Sequence, residues 1–259
     1  NIQWIIDLDI RSFFDTVKHE ILRRLLRNRV RDGVITRLIG KWLKAGVLED
    51  GSISFSDEGT PQGGIVSPML SNIYLHEALD KWYADEIRPA LKGRSTIVRY
   101  ADDVVIGFES KEEAEKVLEA LGRRFEEYGL ALHPDKTRLV YFGKPKGDAR
   151  RRDGNRPGTF DFLGFTHYWG KSYKGNWVVR RKTSSKKFRE KLRKMSEWCR
   201  KNRHSPIRWQ HQKLCRKLKG HYAYYGITGN IDSLQMYLHE VTRIWKKWLS
   251  RRSWKGDKL

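Results

Sequence analysis

Residues 2–10 form a Pro-free apolar run in which Asp7 and Asp9 stand two positions apart, so a strand sets both carboxylates on one face. After Arg11-Ser12-Phe13-Phe14-Asp15 the period changes. Ile21, Leu22, Leu25, Leu26 and Val30 recur at helical spacing, and Ile35, Leu38, Ile39 and Leu43 predict a second helix over about 34–45. A short strand and turn is expected over 53–60. Ser67-Pro68 then opens a helix, with Ser67 as cap, Pro68 in the first turn, and Met69, Ile73, Leu75, Ala78 and Leu79 as its buried stripe. The β-branched runs Ile97-Val98 and Val104-Val105-Ile106 flank Arg99-Tyr100-Ala101-Asp102-Asp103 and predict a hairpin with two carboxylates at its tip. Ala114, Val117, Leu118, Leu121 and Phe125 mark a helix over about 111–128, and a strand is expected around 138–142.

Residues 143–158, rich in Lys, Arg, Gly and Asp, read as a mobile basic loop. A short hairpin is expected over 160–165 and 177–179. Beyond Ser184 three amphipathic helices follow. Phe188, Leu192, Met195 and Cys199 mark the first; Ile207, Leu214, Leu218 and Tyr225 the second; Leu234, Tyr237, Leu238, Val241, Ile244 and Trp248 the third. The order of elements predicts an α+β fold, an antiparallel sheet backed by helices, followed by a small basic three-helix bundle.

Charge sharpens this division. The 259 residues carry 53 Lys+Arg against 31 Asp+Glu, a formal net of +22. Residues 180–259 hold 24 basic and 5 acidic side chains, a net of +19, which leaves +3 for residues 1–179. So concentrated a positive charge points to a polyanion partner, nucleic acid first. A membrane surface fits less well, because the basic helices also carry core-forming faces and no apolar run approaches transmembrane length. Cys199 and Cys215 give no disulfide framework, no signal peptide is visible, and a reducing cytosol is expected. The chain opens inside a strand, which implies a segment before Asn1 or one supplied by another polypeptide.

The candidate chemistry lies in the near-neutral part. Asp102 and Asp103 repel each other and call for a cation or strong donors. A hard divalent ion such as Mg²⁺ takes oxygen ligands. An Asp-Asp turn is ordinary by itself, since Asp tolerates turn geometry. Asp9, at the end of a separate strand, changes the picture: together the three carboxylates make a cage for two divalent ions. Two such ions roughly 3.5–4 Å apart clamp the attacking and leaving oxygens of a phosphoryl displacement. Cys199, His204, His211 and Cys215 are of zinc-binding type, but their spacing is poor. Both cysteines fall on or beside apolar stripes, where a thiol packs as a small hydrophobe.

Five motifs, in order, resemble reverse transcriptases of the bacterial group II intron-encoded type. Asp9-Ile10-Arg11-Ser12-Phe13-Phe14-Asp15 resembles their first catalytic motif, and Tyr100-Ala101-Asp102-Asp103 their signature. Pro61-Gln62-Gly63-Gly64-Ile65-Val66-Ser67-Pro68 with Asn72-Ile73-Tyr74-Leu75 is similar to the intervening motif. Phe162-Leu163-Gly164-Phe165 is similar to the primer grip, and Leu218-Lys219-Gly220-His221-Tyr222-Ala223-Tyr224-Tyr225-Gly226 to the maturase thumb. The resemblance runs from residue 2 to about residue 250. It implies an RNA-directed DNA polymerase in the bacterial cytoplasm, using two Mg²⁺ ions and deoxynucleoside triphosphates. Its partners would be an RNA template, a primer strand and group II intron RNA. It also implies a palm over 1–165, a connecting hairpin over 166–183, and a helical thumb or maturase X domain over 184–259.

The same resemblance assigns residues. Asp9, Asp102 and Asp103 would be the catalytic metal-site carboxylates, with Ile10 lending its backbone carbonyl. Phe14 falls at the sugar gate, where an aromatic ring excludes a 2′-hydroxyl. Gln62 and Gly63 would line the nucleotide pocket, a plain turn being the alternative. Lys136, in His133-Pro134-Asp135-Lys136-Thr137, resembles a lysine near the triphosphate that protonates pyrophosphate. Tyr100, Phe162, Leu163, Gly164, Lys186, Lys187, Arg193, Arg216 and Lys219 would touch nucleic acid. Asp7 is expected to partner a basic side chain. The family's fingers region precedes the first catalytic motif, and little precedes Asp9 in this sequence. Two alternatives follow: a non-catalytic RNA-binding maturase, or one part of a split enzyme whose fingers come in trans.

Overall fold

A computed structural model describes residues 2–43, 47–49, 52–54, 59, 66–145 and 156–252. Gln62 and Gly63, the turn expected after residue 54 and most of the expected basic loop lie outside the described residues. The chain divides into two compact units, Asn1–Gly158 and Thr159–Leu259.

The first unit is built on an antiparallel sheet of β1 (Trp4–Leu8), β4 (Ser95–Tyr100), β5 (Asp103–Phe108) and β6 (Arg138–Tyr141), in the order β4-β5-β1-β6. A separate pair, β2 (Val47–Glu49) and β3 (Ser52–Ser54), is also antiparallel. The helices α1 (Phe13–Thr16), α2 (His19–Arg27), α3 (Gly33–Leu43), α4 (Ser67–Leu75) and α6 (Lys111–Glu127) supply the apolar residues that cover the sheet. Ile6 and Ile106 of the sheet are fully buried with Leu22, Leu70, Leu75, Leu79 and Leu121 of the helices. Ser110 caps α6, its hydroxyl accepting from the Glu113 N–H at 3.3 Å. The α+β class and the antiparallel sheet are therefore as the sequence pattern implied.

Between α4 and α5 (Arg88–Ala90) the chain stays helical through two π-helical stretches, His76–Lys81 and Tyr83–Ile87. Two details of the expected helix start are corrected. Val66 occupies the cap position and Ser67 is the first helical residue. Met69 is 59% exposed; Leu70 and Tyr74, one step round the helix, take the inward positions.

The second unit opens with β7 (Phe160–Phe162), β8 (Phe165–Lys171) and β9 (Trp177–Thr183), a three-stranded antiparallel sheet in place of the short hairpin expected. Phe162 pairs with Phe165 across a two-residue turn, Leu163-Gly164, in which both residues have positive φ, as a type I′ turn requires. Three helices follow: α7 (Ser185–Lys201), α8 (Ile207–Tyr225) and α9 (Ile231–Ser250). Met195, Cys199, Leu214, Tyr237 and Val241 form their core. Burial pushes the Cys199 thiol up to about 11, so it packs as an inert hydrophobe. Ile207 and Leu238, expected on the inner stripes, face solvent at 52% and 45% exposure. Buried Asn230 ties sheet to helices: its amide donates to Thr183 Oγ1 at 2.9 Å and to the Tyr225 carbonyl at 2.8 Å. Among the described residues no helix is long and apolar enough to cross a membrane.

Candidate active site

The site grows out of strand register. β1 and β5 pair antiparallel with Asp7 opposite Val105 and Leu8 opposite Val104. Asp9 follows Leu8 and Asp103 precedes Val104, so both lie at the same end of the β1–β5 pair. Tyr100 and Asp103 close the β4–β5 hairpin, so Asp102 sits in the turn beside them. Asp9 and the sequence-distant pair Asp102-Asp103 therefore share one end of the sheet. Ala101 has φ 53°, a left-handed conformation that costs a residue with a Cβ and is held by its surroundings.

Those surroundings centre on Arg99. Its Nε donates to Asp80 Oδ1 at 2.8 Å and its Nη2 to Asp80 Oδ2 at 2.5 Å, a two-point pair with the π-helical stretch. Its Nη1 donates to Asn72 Oδ1 at 2.9 Å and to the Ala101 carbonyl at 3.0 Å. The Arg99 side chain is only 14% exposed, so the pair is shielded enough to fix the turn. Sequence reading passed over it. The available signal was a charged residue at an inward position of an otherwise apolar strand.

Asp9 is held at its backbone and at its carboxylate. Its carbonyl accepts from the His133 N–H at 2.9 Å and from the Thr137 hydroxyl at 3.2 Å. The Lys136 ammonium lies 3.3 Å from Asp9 Oδ1 and 3.5 Å from Oδ2. Asp7 pairs with Arg138 at 2.7 Å, the basic partner expected for it. Ile10 is buried and bridges to Leu132. Half-buried Phe14 packs against the core with its ring 5.4 Å from that of Phe13. Gly59, with φ 86°, sits against the same segment: a Cβ there would fall 2.9 Å from the Phe14 carbonyl. His19 Nε2 meets the Gly59 carbonyl at 2.5 Å. Tyr100 is 67% exposed.

Carboxylates on facing chains and at the adjoining turn fit a hard divalent ion by donor type. A cation already stands at Asp9, in the form of Lys136. Among the described residues no three His, Cys, Asp or Glu side chains lie close enough together to hold an ion. An ion held by Asp9, Asp102 and Asp103 would compete with Lys136 for the Asp9 carboxylate.

The other sequence-predicted residues lie in the second unit. Leu163 and Gly164 form the β7–β8 turn after Phe162; the Leu163 carbonyl accepts from the Tyr224 hydroxyl at 2.9 Å, and a Cβ on Gly164 would fall 2.9 Å from the Tyr225 hydroxyl. Lys186, Lys187, Arg193, Arg216 and Lys219 are all exposed on α7 and α8.

Comparison with known proteins agrees with the motifs. Protein YkfC of Escherichia coli is 35% identical over 168 residues, 54% of this chain and 44% of that protein. Group II intron-encoded protein LtrA of Lactococcus lactis is 46% identical over 80 residues, 31% of this chain and 13% of that protein. The chain thus spans less than half the length of these relatives. A truncated apo telomerase from Candida tropicalis superposes with a TM-score of 0.48 at 14% identity, over 70% of this chain and 35% of that one. The family described as reverse transcriptase (RNA-dependent DNA polymerase) matches residues 1–167, and the chain belongs to that family.

Proposed function

We propose that the chain serves RNA-directed DNA synthesis of the group II intron type, by nucleotidyl transfer to a primer 3′-hydroxyl. The observation that carries this reading is the β1–β5 register, which puts Asp9 at the same sheet end as Asp102 and Asp103. Asp9, Asp102, Asp103 and the Ile10 carbonyl would hold two Mg²⁺ ions. Bound there, the ions would supply an activated hydroxyl and neutralise phosphate charge. The residues do the rest. Arg99 keeps the Asp102-Asp103 turn in place through Ala101. Lys136, released from Asp9, would hold a proton for the departing pyrophosphate. Phe14 would stand against the sugar and exclude a 2′-hydroxyl, with Gln62 and Gly63 lining the nucleotide pocket. Lys186, Lys187, Arg193, Arg216 and Lys219 would bind the phosphates of template and primer. Tyr100 and the Phe162-Leu163-Gly164 turn would contact the primer strand. The setting is the bacterial cytoplasm, with group II intron RNA as the template source.

Primer extension on an RNA template tests the reading. Mg²⁺-dependent incorporation of deoxynucleotides is expected, falling on the order of 10²–10³-fold in Asp103→Asn with RNA affinity unchanged. The net charge of +19 over residues 180–259 supports a second reading, an RNA-binding maturase. Tight RNA binding without incorporation, the same in both proteins, would replace the first reading with the second. Incorporation that starts only when a separate fingers segment is added identifies a split enzyme.

A further inference from the structure

In the second unit, α7, α8 and α9 border a cleft of about 260 Å³. Its wall holds two features that cost the fold stability. His221 is 6% exposed, yet neither Nδ1 nor Nε2 has a hydrogen-bond partner. A buried polar group left unpaired is a cost that calls for a reason. Gly220, one residue earlier in α8, also lines the cleft. Glycine inside a helix is unfavourable, and here a Cβ would meet no atom within 4 Å. Gly220 is exposed, so a side chain added there would stand at the open mouth of the cleft.

The surrounding chemistry says what fits. The His221 ring lies stacked on Tyr237, centroids 3.8 Å apart and planes 14° apart, and tilted against Tyr225 at 4.6 Å. Lys191, Lys194 and Lys217, all exposed, line the same cleft. Burial, reinforced by the charge on Lys191, pushes the imidazole down to about 4, so at pH 7 it is neutral, with one N–H donor and one acceptor. A nucleobase edge presents the matching donors and acceptors. Aromatic faces stack with any base, and ammonium groups suit a phosphate. The ring nitrogens are themselves covered, so recognition by them requires the lining of the cleft to open locally. Lys194 is held by Glu190 at 2.7 Å, whereas Lys191 and Lys217 have no carboxylate partner at the cleft among the described residues and lie over the Tyr225 and Trp198 rings at 5.9 and 5.5 Å. The volume falls just below the roughly 300–1,000 Å³ of sites for drug-sized ligands, which suits one nucleotide and not a duplex.

We propose that this cleft is a nucleotide-recognition site, in which the base of one extruded nucleotide lies against Tyr224, the exposed aromatic of the lining, with its edge toward His221 and its phosphate at Lys191, Lys194 and Lys217. The inference goes beyond the polymerase reading and rests on the second unit alone.

The test is an NMR titration of the full chain, carrying ¹³C-labelled histidine and kept in EDTA, with the four nucleoside 5′-monophosphates, ribose 5-phosphate and orthophosphate. The nucleotides are expected to shift the His221 ring resonance, assigned by its loss in His221→Phe, and ribose 5-phosphate to bind about tenfold more weakly or worse. Gly220→Leu, which fills open space and favours the helix, is expected to melt no lower than the parent and to abolish the shift. The Lys191→Gln, Lys217→Gln double variant is expected to weaken it about tenfold. Absence of any shift, equal shifts with ribose 5-phosphate or orthophosphate, or an undiminished shift in Gly220→Leu overturns the proposal. Asp103→Asn is expected to leave every shift intact. Failure of primer extension with the shifts preserved would therefore count against the polymerase reading and not against this site.

Discussion

The first unit gathers its candidate site carboxylates by backbone register, while the second spreads its basic side chains over helix surfaces. In the first, Asp9, Asp102 and Asp103 are few, negative and fixed by a strand pairing, a left-handed Ala101 and the Arg99–Asp80 clamp. In the second, lysines and arginines are many and mostly exposed. Moving one carboxylate by an ångström changes a reacting geometry. Moving one surface lysine changes a sum. The contrast teaches that the units should respond to different insults: the first to loss of a single support, the second to loss of overall charge.

The largest effect expected is on the second unit. If about six phosphates are contacted, RNA affinity should drop roughly 10³-fold between 50 and 200 mM salt, read by filter binding; a flat curve would erase the contrast. Next comes pH. His221 is neutral when folded, whereas in the unfolded chain it protonates near its ordinary 6.5. Between about pH 6.5 and 4 the unfolded state thus binds more protons, and stability falls as pH falls, by up to ~3 kcal/mol. Denaturant melts should show the parent losing up to ~3 kcal/mol relative to His221→Phe as pH falls across that window; parallel curves would show that burial does not hold the ring neutral. In the first unit, Arg99→Met should lower primer extension about 10²-fold through the misplaced turn, with RNA affinity unchanged. An equal loss in Asp80→Asn would locate the effect in the clamp, and a loss of RNA binding would move Arg99 into the other class. The smallest effect is Gly59→Ala: a positive φ and a close backbone neighbour should cost roughly 1–3 kcal/mol, seen as a lower Tm.

Much of this was legible in the chain. Period two around Asp7 and Asp9, and β-branched runs on both sides of Asp102-Asp103, were enough to predict the strands, because each face pattern is set locally. That Asp9 ends up at the same sheet end as Asp102 and Asp103 was not set by any local pattern, since register between distant strands is a tertiary property. Arg99 and Asp80 are 19 residues apart and no periodicity links them. Met69 was misplaced because the stripe was phased from Met69 itself and not from Leu70 and Tyr74. The cleft at His221 escaped for a related reason: its walls come from three helices, and an unpartnered imidazole leaves no trace in sequence.

The π-helical run His76–Ile87 has a further consequence. Each such turn accommodates one residue more than an α-turn, so the helix beyond it is rotated by about 100° from where an unbroken α-helix would aim it. Asp80 lies inside the first of these stretches. Deleting one residue just ahead of it would yield a more regular helix and a carboxylate turned away from Arg99. In that segment chain length itself sets where Asp80 points, and loss of one residue there would undo the Arg99 clamp more surely than many substitutions elsewhere.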